Sequence, residues 1–119
     1  MSKKVIVHVD DDKDIIDAVA MVVAKTTYEL VSMTSMEEFF SKVDEIQPDF
    51  VIFDVMVEES DSGLKAHDKF SKDHPDVPII LLTSLGREIA PHFEGRPVWI
   101  YEKPFDPHQL IKALKSKLG

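Results

Sequence analysis

Four places in this chain of 119 residues carry side chains that could do chemistry together. Asp10, Asp11 and Asp12 stand in a row, Asp54 closes the apolar run Phe50-Val51-Ile52-Phe53, Thr83 and Ser84 follow "IILL", and Lys103 precedes Pro104. Carboxylates brought to one place repel one another, and a divalent cation is the economical way to keep them ionised together. An oxygen donor set, in a chain without cysteine, favours a hard ion such as Mg²⁺. Beside such an ion Asp54 suits the role of a nucleophile that forms an acyl phosphate. Lys103 and the Thr83 hydroxyl would then neutralise charge on the transferring oxygens. Each residue alone has a plainer role: Asp11 or Asp12 as a helix cap, Thr83 as a strand end, Lys103-Pro104 as a strand terminator. Joint placement is what would set the chemistry apart.

The elements around these residues put them on one rim. "KKVIVHV" reads as a first strand, and "DIIDAVAMVVAKT" as a helix with Ile15, Val19, Val22 and Val23 on one face. "YELVSM" is a second strand. Ser35 and Glu38 form a capping-box pattern ahead of Phe39, Val43 and Ile46. The run ending at Asp54 is a third strand, apolar throughout and so buried on both faces. A weaker helix follows from Leu64 to Asp73, then "VPIILLT" and "PVWIY" as strands four and five. The last helix is marked by Asp106 at its N-cap, Pro107 in its first turn, and Leu110, Ile111, Leu114 and Leu118 as its buried stripe. Strands alternating with helices imply an α/β, doubly wound parallel sheet, because right-handed crossovers place helices on both faces. Such sheets bind ligands at the carboxyl ends of their strands, where Asp10, Asp11, Asp54, Thr83 and Lys103 all fall.

Length and composition narrow the class. A chain of this size is expected to form one domain, residues 1–119, with no separate output module. The absence of cysteine excludes a disulfide framework and thiolate metal sites. Met1-Ser2-Lys3-Lys4 leads into a strand rather than a signal segment, and no apolar run approaches the roughly 20 residues of a membrane helix. A soluble cytoplasmic protein is expected. The net charge of −8 opposes binding to nucleic acid or anionic lipid, so proteins or small ligands are the expected partners.

With these motifs assembled, the chain resembles the receiver domain of bacterial response regulators over essentially its whole length. The resemblance is carried by "VIVHVDDD", "PDFVIFDVM", "PIILLTS" and "YEKPFD", in the family's order. It implies a five-stranded sheet of flavodoxin-like order 2-1-3-4-5 and a stand-alone, Mg²⁺-dependent switch that is not a turnover enzyme. Asp10 and Asp11 would be the acidic pair, with Asp11 the direct Mg²⁺ ligand. Asp54 would be the phosphoacceptor and itself a metal ligand, and Met56 would lend its backbone carbonyl to the metal. Thr83 would be the switch hydroxyl and Lys103 the lysine that pairs with the phosphoryl group. The phosphoryl source would be a sensor histidine kinase or phosphotransfer protein, and the output a protein contact.

Several residues depart from the family's pattern or fall outside the motifs. Glu58 stands where a proline is usual, Ser62 lengthens the loop before Gly63, and Ile100 occupies the position of the customary aromatic switch residue. Pro91 interrupts the segment "LGREIAPHFEGRP", the region of the fourth helix in the family. The acidic run Glu58, Glu59 and Asp61 reads as a solvated loop face. His8 interrupts an apolar strand and reads as a hydrogen-bonded core residue near the site; His67, His74, His92 and His108 show no metal spacing. Two rival functions fit the same fold. One is an interaction module that signals without phosphate, and the other is an aspartate-nucleophile phosphatase. The second usually wants another acid two residues past its nucleophile, where this chain has Met56.

Overall fold

A computed structural model describes residues 3–54, 62–83, 98–102 and 106–118. In chain order the elements are β1 (Val5–Val9), α1 (Lys13–Val23), β2 (Glu29–Met33), α2 (Met36–Ile46), β3 (Phe50–Asp54), α3 (Ser62–Asp73), β4 (Ile79–Thr83), β5 (Val98–Glu102) and α4 (Pro107–Leu118). All neighbouring strands run parallel, in the order β2-β1-β3-β4-β5. The expected α/β doubly wound sheet is thus observed. Strand order reverses at β1, which has β2 on one side and β3 on the other. The crevice between the carboxyl ends of β1 and β3 is therefore the position this topology reserves for a ligand.

Alternation along the strands divides the apolar residues into two layers. Val7, Val9, Val51, Phe53, Ile79 and Leu81 meet Phe39 and Val43 of α2 and Ala66 and Phe70 of α3. On the other face Ile6, Phe50, Ile52, Ile80 and Leu82 meet Val19, Val22 and Val23 of α1 and Leu110 and Leu114 of α4. Every residue of β3 is buried, as a strand covered on both faces requires. The first layer is centred on Phe39, whose ring makes edge contacts with Phe40, Phe53 and Phe70 at centroid distances of 5.0, 5.0 and 5.4 Å. Such pairs add to the stabilisation from burial alone.

The helix starts are set by short side chains that satisfy the first free backbone N–H groups. Ser35 accepts from the Glu38 N–H at 3.1 Å, and Asp106 accepts from the His108 N–H at 2.9 Å. Asp12, not Asp11, is the N-cap of α1, where it accepts from the Asp14 N–H at 2.9 Å. At the far end of α2, Gln47 takes a left-handed conformation with φ of 53° and ends the helix ahead of Pro48. Helix α3 begins at Ser62, two residues before the expected start at Leu64. Ser62-Gly63 is a turn signal by composition, and a first helical turn tolerates both residues.

Truncating Phe39 to alanine should cost about 3–5 kcal/mol, because the ring is fully buried and three other rings lose a partner. Urea unfolding of Phe39→Ala against the parent checks this; a loss below about 1 kcal/mol would show that the ring cluster does not hold this layer together.

Candidate phosphoacceptor and cation site

The carboxyl end of β1 is tied down before its acids begin. The Asp10 N–H donates to the Met33 carbonyl at the end of β2, 3.0 Å away. Asp10 is fully buried, and its Oδ1 accepts from the Asp12 N–H at 2.9 Å. One acid thus positions the next, and the second caps α1. The three adjacent aspartates divide their labour: Asp12 starts the helix, Asp10 is locked inside, and Asp11 between them is exposed. Asp54 closes β3, is nearly buried, and lies across the crevice of the topological switch.

Asp10, Asp11 and Asp54 converge. One carboxylate oxygen from each lies within 4.8 Å of the other two. Anionic oxygens at that spacing repel in a partly desolvated crevice, and a small divalent cation at their centre would offset the repulsion. The donor set is all oxygen, from two buried acids and one exposed one, which fits a hard ion that keeps some of its water. Thr83 ends β4 one position beyond Leu82, the register partner of Asp54, and is itself paired with Glu102. Only its backbone is described. The expected metal-carbonyl donor Met56 and the phosphoryl-pairing Lys103 lie outside the described residues, as do Glu58, Glu59, Asp61, Pro91 and His92. Ile100 is partly buried and packs against the layer formed with α2 and α3.

His8 differs from the expectation. It is fully buried, but neither ring nitrogen makes a hydrogen bond among the described residues. Its Nε2 lies 3.7 Å from Asp10 Oδ2, too long for a hydrogen bond. A buried polar side chain with no hydrogen bond typically costs about 1–3 kcal/mol. The sequence shows a polar residue in an apolar run but not the approach to Asp10. His67, read as having no metal spacing, is also buried, with Nδ1 3.4 Å from Asp68 Oδ1. It lines a cleft of about 450 Å³ with Ser71, Lys72 and Val77, reaching the amino end of β4. That cleft does not include the acidic group.

The family model described as the response regulator receiver domain matches residues 6–115. The phosphate regulon transcriptional regulatory protein PhoB of Pseudomonas aeruginosa is 28% identical over 99% of this chain and 53% of its own length. The crystal structure of a CheY-like response regulator receiver domain protein from Methanospirillum hungatei is 26% identical, with a TM-score of 0.83 over 98% of this chain and 94% of that one. A BeF₃-activated DrrB receiver domain is 28% identical, with a TM-score of 0.83 over 98% of each chain. This chain spans about half the length of the curated relatives it matches.

The acidic group makes a direct prediction about cations. Mg²⁺ at about 100 times its dissociation constant should stabilise the protein by about 2.7 kcal/mol, and Asp11→Asn should remove most of that gain. Thermal unfolding with Mg²⁺ and with a chelator checks it; equal gains in parent and variant would place the ion elsewhere.

Proposed function

The chain belongs to the response regulator receiver domain family, and from that premise we propose that it is a phosphoaspartate switch with Asp54 as acceptor. The observation that carries the reading is the convergence of Asp10, Asp11 and Asp54 at the topological switch point. Asp54 is held at the end of a fully buried strand, so its carboxylate meets an incoming phosphorus without first being ordered. In the proposed transfer the donor is a phosphohistidine on a sensor kinase or phosphotransfer protein. A carboxylate oxygen of Asp54 attacks, the N–P bond breaks as the O–P bond forms, and the released imidazole takes up a proton. Asp10, Asp11, Asp54 and the Met56 carbonyl would hold Mg²⁺, which when bound would offset negative charge on the phosphoryl oxygens. Lys103 would supply a second positive charge and Thr83 a hydroxyl donor to the new phosphoryl group.

Drawing Thr83 and Lys103 toward that group would favour one arrangement of the loops they belong to, and a protein partner would read the shift. Residues 1–119 act in this reading as one cytoplasmic receiver domain that modifies itself and does not turn over a substrate. No described helix is long and apolar enough to cross a membrane. Ile100 supports a second reading, in which the fold signals by contact without phosphate. An aliphatic side chain packed against the inner layer lacks the ring that gates the surface in the family pattern.

Intact mass after incubation with acetyl phosphate separates the two. The switch predicts a gain of one phosphoryl group that requires Mg²⁺ and is lost in Asp54→Asn. Label retained by Asp54→Asn would reject Asp54 as the acceptor. A parent that stays unlabelled with acetyl phosphate and with a phosphorylated sensor kinase would favour the phosphate-independent module.

A further inference from the structure

We infer that His8 is a positioning residue for the cation site, holding the Asp10 carboxylate in the orientation that the acidic group needs. The inference rests on the proposed cation role of Asp10, Asp11 and Asp54 and extends it to a residue behind them. His8 sits in β1 between Ser32 of β2 and Ile52 of β3, on the face whose other β1 side chain is the fully buried Ile6. An apolar residue would suit that place better. The imidazole is fully buried and makes no hydrogen bond among the described residues, so folding alone does not account for it.

Its polar neighbour is the Asp10 carboxylate, 3.7 Å from Nε2. That carboxylate is held on its other oxygen by the Asp12 N–H, at the start of α1. Asp10 is thus constrained from two directions: a backbone donor fixes Oδ1, and the ring stands beside Oδ2. With the proton on Nε2, the ring N–H would stand 3.7 Å from Oδ2 and favour the carboxylate orientation that keeps this oxygen beside it. At this distance the attraction is electrostatic. His8 is outside the group of acids whose oxygens converge, so it acts on the cation through Asp10 and not as a ligand. Partners that orient ligating carboxylates typically change metal affinity by about 10–100-fold when removed.

The test is a calorimetric Mg²⁺ titration of the parent, His8→Val and His8→Gln, with thermal unfolding of each in chelator. His8→Val should bind Mg²⁺ about tenfold more weakly while its metal-free melting temperature is unchanged or higher. His8→Gln, which returns an N–H donor near the position of Nε2, should recover most of the affinity. Equal affinity in His8→Val and the parent, or equal weakness in His8→Gln and His8→Val, would overturn the inference. A parent that binds no Mg²⁺ would instead reject the cation reading of the acidic group, and the inference with it. Should His8→Val fail to fold, the ¹⁵N spectrum of the parent's imidazole decides: a proton on Nε2 agrees, and a neutral ring with its only proton on Nδ1 contradicts.

Discussion

Repulsion among the carboxylates of Asp10, Asp11 and Asp54 is the interaction on which the rest of the structure turns. Oxygens within 4.8 Å of one another, two of their residues buried, would drift apart in a pliable scaffold. They are held because β1 and β3 are neighbours in a parallel sheet, where backbone pairing from Ile6 opposite Phe50 to Val9 opposite Phe53 fixes the relative position of the strand ends. Asp54 is the last residue of β3 and Asp10 the first beyond β1, where the ladder leaves little slack, and Asp11 follows Asp10 directly. Three carboxylates held this close form a group that could take a metal ion.

The two apolar layers give that ladder its stiffness. A sheet covered on one face could bend to relieve the rim. Here Phe39, Phe53 and Phe70 fill one side, while Val19, Ile52, Leu82 and Leu110 fill the other. A close-packed interior yields little to a local strain. The neighbouring acids are fixed locally as well, since Asp12 spends its side chain on the α1 cap and its N–H on Asp10. A sheet packed this way on both faces would resist a change of charge at Asp54, as the proposed switch requires.

Much of this was legible in the sequence because its signals are local. The apolar runs around Ile6, Ile52 and Ile80 mark strands, Ser35 and Asp106 mark helix starts, and alternation of the two forces a parallel sheet. The convergence of Asp10, Asp11 and Asp54 then follows from topology, since residues far apart in sequence come together wherever strand ends meet. Other features depend on distances no pattern encodes. Asp11 and Asp12 are equivalent as letters, and only the path of the chain into α1 makes one a cap and leaves the other exposed. His8 is visibly polar in an apolar strand, but that it faces Asp10 without a hydrogen bond is set by three-dimensional packing. Ser62-Gly63 reads equally as a loop or a first helical turn, and the structure takes the second.

If the three acids are held together against their own repulsion, the urea stability of parent and Asp54→Asn, each in chelator and in saturating Mg²⁺, will show it. Removing one charge should stabilise the metal-free protein by about 1–3 kcal/mol, between the Coulomb energy of one such pair in bulk water and its energy near a protein surface. Mg²⁺ should erase or reverse that advantage. An Asp54→Asn protein that is less stable than the parent in chelator, or that keeps the same advantage in Mg²⁺, would contradict the claim.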